Sequence, residues 1–523
     1  MVGNQHATIR GRHDRSNHAT GLAVVAIMVI LAPGIAGAGD GRAQFTIVGE
    51  DKHPLPCRIH LKDHLGKPCY AEQLPRWADH FVCPGAADLH LPAGDYTFEI
   101  ERGPEHRRQS GSFHLGEGES KRIALGLTRL ADLAAEGWFS GELHVHRPVE
   151  QVPLLMQAED LHVAPVITWW NNENIWRTRQ PPASIVTRFD GDRFLDVMAG
   201  EDEREGGALM YFRLPQPLAI TGSSREYPCP MKFLLEARRH PGAWIDIEKP
   251  FWWDVPVWLA SGQVDSIGLA NNHMCRSGMS ATEAWGKPRD TTRLPPPQGN
   301  GYWSQEIYYH VLNCGMGVPP SAGSASGVLP NPVGYNRVYV YVGRELTYER
   351  WWQGLKAGRS FVTNGPLLRV RANEQLPGHV FTAAEGTKVV IRLEARVISP
   401  DRIAALEIVK NGRVEQKIPP DRVAAGGPVA ITFDRSGWFL VRAIADVPST
   451  FRFASTAPYF VEIGPSKRLV RRGSARFFLN WAEERAGRVS QKLHAPVQLQ
   501  EVLRYHRRAK EFWQGILADA NAE

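Results

Sequence analysis

The chain has little excess charge of either sign, few cysteines and no long apolar run. Its 523 residues carry 61 Lys and Arg against 55 Asp and Glu, a net +6. The basic residues are scattered instead of gathered in a stripe, which argues against a nucleic-acid partner. The uncharged run from Gly21 to Ala32 is short for a bilayer span, and no other segment approaches the required length. There is no dinucleotide fingerprint and no phosphate-binding P-loop. Gly323-Ser324-Ala325-Ser326-Gly327 puts serines between glycines but lacks the single central serine of a nucleophile elbow. Six cysteines in a chain of this length exclude a disulfide-dense scaffold. An oxidising compartment would permit one bridge among Cys57, Cys69 and Cys83, and the spacing does not select the pair.

What is present is globular: 43% hydrophobic and 22% charged residues suit two to four domains with sizeable cores. Arg10, Arg12 and Arg15, the apolar run, Pro33-Gly34 and the small residues Ala36-Gly37-Ala38 read as a signal peptide over residues 1–38. The expectation is an exported protein, periplasmic or extracellular, starting near Gly39 with no transmembrane span. Removing three arginines and one aspartate with that segment leaves a net +4.

Residues 45–128 hold short alternating stretches separated by turn signals such as Leu91-Pro92-Ala93-Gly94-Asp95, the pattern of a β-sandwich. From 133 to 370, buried runs such as Val163 to Thr168 and Ser266 to Ala270 alternate with helical patterns and end in polar clusters. That predicts an α/β unit built as a β/α barrel, whose site lies where the strands run out. Residues 375–465 return to strand periodicity and predict a second β-sandwich, and 474–523 a helical tail.

The most informative segment is Trp138-Phe139-Ser140-Gly141-Glu142-Leu143-His144-Val145-His146. In an extended chain His144 and His146 point the same way and can offer two imidazole nitrogens to one divalent ion. Asn271-Asn272-His273 closes an apolar strand, which makes His273 a further candidate ligand. Asp246 and Glu248 alternate along Trp244 to Pro250 and should share a face. Two acids on an apolar strand are costly unless paired, metal-bound or solvated; one is expected to accept a proton during catalysis while the other orients a ligand, the alternative being a structural ion pair with Lys249 or an arginine. Asp202 to Glu205 read as an acidic loop continuing from Glu201, in which Arg204 is a candidate for stabilising an oxyanion or phosphate, against a solvated loop. Twelve of the 16 tryptophans fall within 133–370, several beyond strand ends, and predict an aromatic cleft for a glycan or other small molecule.

With its Gly-Glu-Leu-His-Val-His core, this segment resembles the opening motif of the polymerase and histidinol phosphatase (PHP) superfamily, and more narrowly the exported CehA/McbA-type metallohydrolases. The resemblance extends through Gly200-Glu201, Leu312 to Gly315, Thr363-Asn364-Gly365-Pro366 and Val409 to Gly412. It implies a distorted β/α barrel holding divalent metal and hydrolysing phosphate, ester or carbamate bonds. Residue by residue, it implies His144, His146 and Glu201 as ligands. Where such proteins read Thr-Asp-His-Asn this chain has Thr168-Trp169-Trp170-Asn171, and Gly-Ser-Asp-Ser-His is replaced by Gly323 to Gly327. Two indoles, a methyl group and a hydrogen cannot coordinate a metal. The expected site is therefore reduced: one ion, zinc or manganese, on His144, His146, Glu201 and His273, with Trp169, Trp170, Asn171 and Asn272 lining a substrate cleft. Two readings follow: a hydrolase in which the metal activates water, or an inactive module that binds a glycan-like ligand.

Overall fold

The computed structural model describes residues 39–419, 429–465 and 468–523, so the expected signal peptide lies outside the described residues. The first unit contains β1 (Asp40–Val48), β2 (Cys57–Asp63), β3 (Pro68–Cys69), β4 (Arg76–Trp77), β5 (His80–Cys83), β6 (Ala86–Pro92), β7 (Gly94–Glu101), β8 (Gln109–Leu115) and β9 (Ser120–Gly126). Alternation along β1 buries Ala43, Phe45 and Ile47 and leaves Arg42 and Thr46 exposed. One sheet runs β6-β1-β9 and the other β4-β5-β2-β7-β8, with β3 on β2. Phe45, Ile59, Phe81, Phe98 and Ile100 share the core of this unit.

The middle unit uses β10 (Trp138–Gly141), α1 (Val152–Ala158), β11 (Val163–Trp170), β12 (Val186–Phe189), β13 (Arg193–Arg204), β14 (Gly207–Phe212) and α2 (Pro230–Ala237). It continues through β15 (Trp244–Ile247), α3 (Val255–Ala260), β16 (Ser266–Ala270), α4 (Gly299–Asn313) and β17 (Pro320–Ala322). Strands such as β16 are buried along their whole length because both faces are covered, and they read accordingly as unbroken apolar runs. Pairing is parallel for β10–β11, β11–β13, β15–β16 and β16–β17. It departs from a regular β/α alternation at β13–β14 and β14–β15, which are antiparallel. There the chain reverses at Glu205-Gly206, where a β/α unit would insert a helix.

The sheet curls back on itself. Beyond β10 the chain leaves its partner on one edge and takes up the segment after β17: Leu143 N donates to Ala322 O, Ala325 N to His144 O and His146 N to Ser326 O, at 2.9, 2.8 and 2.8 Å. Val145 bridges Val166 of β11 on its other side. Seven staves thus form a hydrogen-bonded ring.

β18 (Arg337–Tyr341) pairs with β10 and with β19 (Ser360–Thr363), which follows α5 (Tyr348–Lys356). The last strands are β20 (Leu367–Ala372), β21 (Val380–Ala383), β22 (Val389–Ile398), β23 (Ile403–Lys410), β24 (Arg413–Ile418), β25 (Val429–Phe433), β26 (Gly437–Ala445), β27 (Phe453–Thr456) and β28 (Tyr459–Ile463). β19 pairs with β27, and β20-β22-β25 form a separate sheet. Tyr339, Phe361 and Leu368 lie in one core with Ile391, Phe439 and Tyr459. The C-terminal sandwich therefore takes in strands from 337 onward and is continuous in its main sheet with the ring. Helices α6 (Arg472–Lys492) and α7 (Pro496–Ala518) form the C-terminal tail, with Trp481 and Trp513 buried. No helix among the described residues is long and apolar enough to cross a membrane.

Candidate metal centre

His144 and His146 stand on the stave that closes the ring, and period-two alternation turns both inward while Val145 packs outward among Val166 and Leu155. Glu201 comes from β13, two strands away. The three side chains meet: His144 Nε2 is 3.1 Å from His146 Nε2 and 3.5 Å from Glu201 Oε1, and His146 Nε2 is 3.0 Å from Glu201 Oε2. Bonds of about 2.0–2.1 Å to a tetrahedral ion put neighbouring ligand atoms about 3.3 Å apart, so the spacing fits one zinc-sized cation. His144 and Glu201 are buried, and the His146 side chain is only slightly more exposed than theirs.

The surrounding charges ask for a cation. Burial alone would pull the His144 imidazolium down, but the Glu201 and Glu248 carboxylates outweigh it and hold its pKa up to about 10. Burial pushes the Glu201 carboxyl up, and the charge and hydrogen bonds of His144 and His146 override it, leaving it well below the ordinary range. Glu248 Oε1 lies 3.3 Å from His144 Nδ1, a carboxylate behind the ligand histidine that fixes which nitrogen faces the centre. Glu248 also pairs with the buried Lys249 and accepts from Trp252 Nε1. Despite burial, Lys249 and His144 hold it down to about 2.

Asp246 accepts from Ser266 Oγ and Ser321 Oγ, both at 2.5 Å, and ties neighbouring staves together. Glu248 is the ion pair with Lys249 and stands behind His144; the structure brings neither acid into the ligand cluster. Arg204 is also structural. Residues 201–204 are strand and not loop, so Arg204 faces away from Glu201 with Asp202, which it grips at 2.6 and 2.7 Å while donating to Ser224 O and Pro228 O. His273 is outside the ligand cluster. It is buried against Phe251, and burial, with Lys249 nearby, lowers its pKa to about 3. Its Nδ1 has no hydrogen-bond partner among the described residues.

The tryptophan cleft is mostly core. Trp169 is fully buried, donates to Met198 O and stacks on Tyr211; Trp252, Trp258, Trp351 and Trp352 are equally buried. Trp170 alone of the pair reaches the centre, its ring edge-on to His146 at 5.6 Å between centroids. Asn171 clamps the backbone of β13, donating to Asp202 Oδ1 and accepting from Glu203 N, each at 2.6 Å. Asn272 is buried, its carbonyl accepting from Asn331 Nδ2 at 3.1 Å.

Sequence reasoning missed Glu203. It shares the inward face of β13 with Glu201, and burial, then the charge of Glu201, raise its carboxyl to about 7 despite Lys249. The signal was the two-residue spacing from Glu201, hidden by reading a charged run as a loop. Glu142 was missed as well: buried, it accepts from Ser324 N and Gly334 N and anchors the segment that closes the ring.

Two further groups of ligand-type atoms occur in the first sandwich, His60-Asp79-His80 and His60-Glu99-Glu101. Arg58 Nε donates to His60 Nε2 at 3.0 Å, so the ring proton sits on Nδ1, facing Asp79 at 3.1 Å. Glu99 and Glu101 are engaged by Arg58, Arg108 and Arg276. Guanidinium groups thus engage Glu99, Glu101 and the His60 nitrogen of these clusters, whereas the ligand atoms of the His144 group face one another.

No family model matches this chain, and no curated protein matches it. Among solved structures, GBS52, the minor pilin of Streptococcus agalactiae, is 16% identical over 18% of this chain and 46% of its own, with a TM-score of 0.16. The Bacillus anthracis TIE protein is 19% identical over 21% of this chain and 19% of its own, with a TM-score of 0.15. The chain thus spans less than half the length of either.

Proposed function

We propose that this protein is an exported, PHP-like metal-dependent hydrolase with a single-ion site on His144, His146 and Glu201. The observation that carries the reading is the meeting of two imidazole nitrogens and a carboxylate oxygen at 3.0–3.5 Å inside a closed ring. Two nitrogens and one oxygen suit zinc, with manganese next. When bound, the ion supplies Lewis-acid polarisation of an ester, carbamate or phosphoester and acidifies an attacking water.

The chain's own residues do the rest. Glu203, on the inward face of β13 two residues from Glu201 and with its carboxyl raised to about 7 by burial and by the charge of Glu201, is the general base that takes the proton of the attacking water. Glu248 holds His144 in the ligating tautomer. Trp170, edge-on to His146, supplies the aromatic face for a substrate beside that ligand. The binding-module alternative loses support with the burial of Trp169 and its neighbours, because its cleft required them at the surface.

The test joins elemental analysis to a screen of phosphoester, carboxylester and carbamate substrates. The expected result is about one equivalent of metal and turnover on one class, lost with the metal in His144→Ala/His146→Ala. Glu203→Gln is expected to keep the metal and lose about 10²- to 10⁴-fold in kcat. Metal-free wild type, or full activity in Glu203→Gln, overturns the assignment.

A further inference from the structure

The first sandwich holds a pair of thiols that the metal chemistry does not use. Cys57 begins β2 and Cys83 ends β5; the two strands are antiparallel, and the ladder sets Cys57 directly opposite Cys83. Both side chains are fully buried, and their Sγ atoms lie 3.6 Å apart. Opposed residues of an antiparallel pair have Cα atoms about 4.5–5.5 Å apart, inside the range of about 4.4–6.8 Å that a disulfide spans, so the backbone need not move. The third thiol of this domain is placed differently. Cys69 sits on β3, opposite Leu61, with its Sγ turned to Lys67 O at 3.7 Å.

We propose that Cys57 and Cys83 form a cross-strand disulfide when the chain folds in the presence of a disulfide oxidant, protein-borne or of low molecular mass. A thiolate of one cysteine attacks the oxidant's disulfide, forming a mixed disulfide and releasing one oxidant thiol. The second cysteine, deprotonated, attacks the first; the Cys57–Cys83 bond forms and the second oxidant thiol leaves with the remaining proton. Two protein thiols are oxidised by two electrons in all, and one oxidant disulfide is reduced to two thiols. With both sulfurs buried, exchange takes place before the β2–β5 ladder closes.

The bond also bears on the metal centre. β5 is paired to β4, and β4 carries Trp77, whose Nε1 donates at 2.7 Å to Leu329 O. Leu329 lies two residues beyond Gly327, which sits so close to His146 that an added Cβ would come within 2.6 Å of the His146 carbonyl oxygen. Fixing β5 to β2 braces the wall on which that loop rests.

The full chain is refolded from denaturant with oxidised glutathione, alkylated under denaturing conditions, digested and analysed by mass spectrometry. The expected result is a linked Cys57–Cys83 peptide pair, a protein lighter by two hydrogen atoms than its reduced form, and free Cys69, Cys229, Cys275 and Cys314. Adding reductant is expected to lower Tm in the wild type and leave Tm unchanged in Cys57→Ser/Cys83→Ser. Should that variant not fold, Cys69→Ser decides: it must retain the link. Complete alkylation of Cys57 and Cys83 after oxidative refolding, or a link through Cys69, overturns the proposal. Neither outcome depends on whether the chain is a hydrolase.

Discussion

His144 is the residue on which both metal affinity and alkaline stability turn. A free histidine titrates near 6.5, whereas Glu201 and Glu248 hold this one protonated to about 10. A raised pKa stabilises the fold fully below the unfolded value, and that stability is lost as pH rises through the folded one. Metal-free protein should therefore lose unfolding free energy from about pH 7 toward pH 10, by about 1.4 kcal/mol per pH unit for the one proton. Urea denaturation in chelator at pH 7, 8 and 9 measures the slope; His144→Gln is expected to flatten it, and zinc, which replaces the proton, to do the same. An unchanged slope in His144→Gln would remove the charged-histidine account of the cluster. Asp246, raised to about 7 first by burial, acts in a lower window: its contribution is present in acid and is lost as pH rises toward 7. At this scale the sequence exposed the histidine pair, because alternation needs only two residues. It did not expose the range of His273, since a position after a strand end fixes neither direction nor reach.

At the scale of elements, the site depends on a stave that runs on past the end of β17, the segment 322–326 hydrogen-bonded beside Leu143 to His146. Gly323 lies against His144 so closely that an added Cβ would come within 2.4 Å of the His144 Cβ. Both atoms are near the backbone, so neither can swing away. Gly323→Ala is expected to keep the far-UV circular dichroism of the wild type while weakening metal retention about 10- to 100-fold, the usual cost of disturbing the support of a ligand. Competition against a chromophoric chelator measures it, and wild-type affinity in this variant would mean that the stave does not position His144. Strand content was legible here from apolar runs such as Ser266 to Ala270. The antiparallel return of β14 was not, because a buried strand reads the same in either direction. Nor was the strand character of 201–204: four charged residues look solvated until Asn171 and the Asp202–Arg204 pair are seen holding them in place.

Across the whole molecule, buried ion pairs join units that the sequence could only list in order. Arg58 of the first sandwich pairs with Glu159 beside the ring, and Arg337 of the C-terminal sheet reaches the same carboxylate at 3.4 Å. Arg108 and Arg452 meet Asp401 from opposite domains at 3.2 and 2.7 Å. The tail is bolted on in the same way: Arg485 of α6, 2% exposed, donates to Asp254 Oδ1 at 2.6 Å and grips both oxygens of Glu226 at 2.9 and 2.6 Å. Asp254 in turn packs on the β13–β14 turn through Gly206, so the helices brace the strand that delivers Glu201 and Glu203. Removing one member of such a cluster leaves buried charge without compensation, which costs about 3–5 kcal/mol. Arg485→Met keeps the volume and apolar stem of the side chain while deleting its charge, so it isolates that cost from lost packing. The expected outcome is a loss of that size in urea-derived unfolding free energy at pH 7, with metal content per folded molecule unchanged, because His144, His146 and Glu201 lie on the ring itself. Wild-type stability in Arg485→Met would show that the tail is held by the packing of Trp481 and Trp513 and by its other polar contacts, such as Lys287–Glu484, and not by the Arg485 cluster.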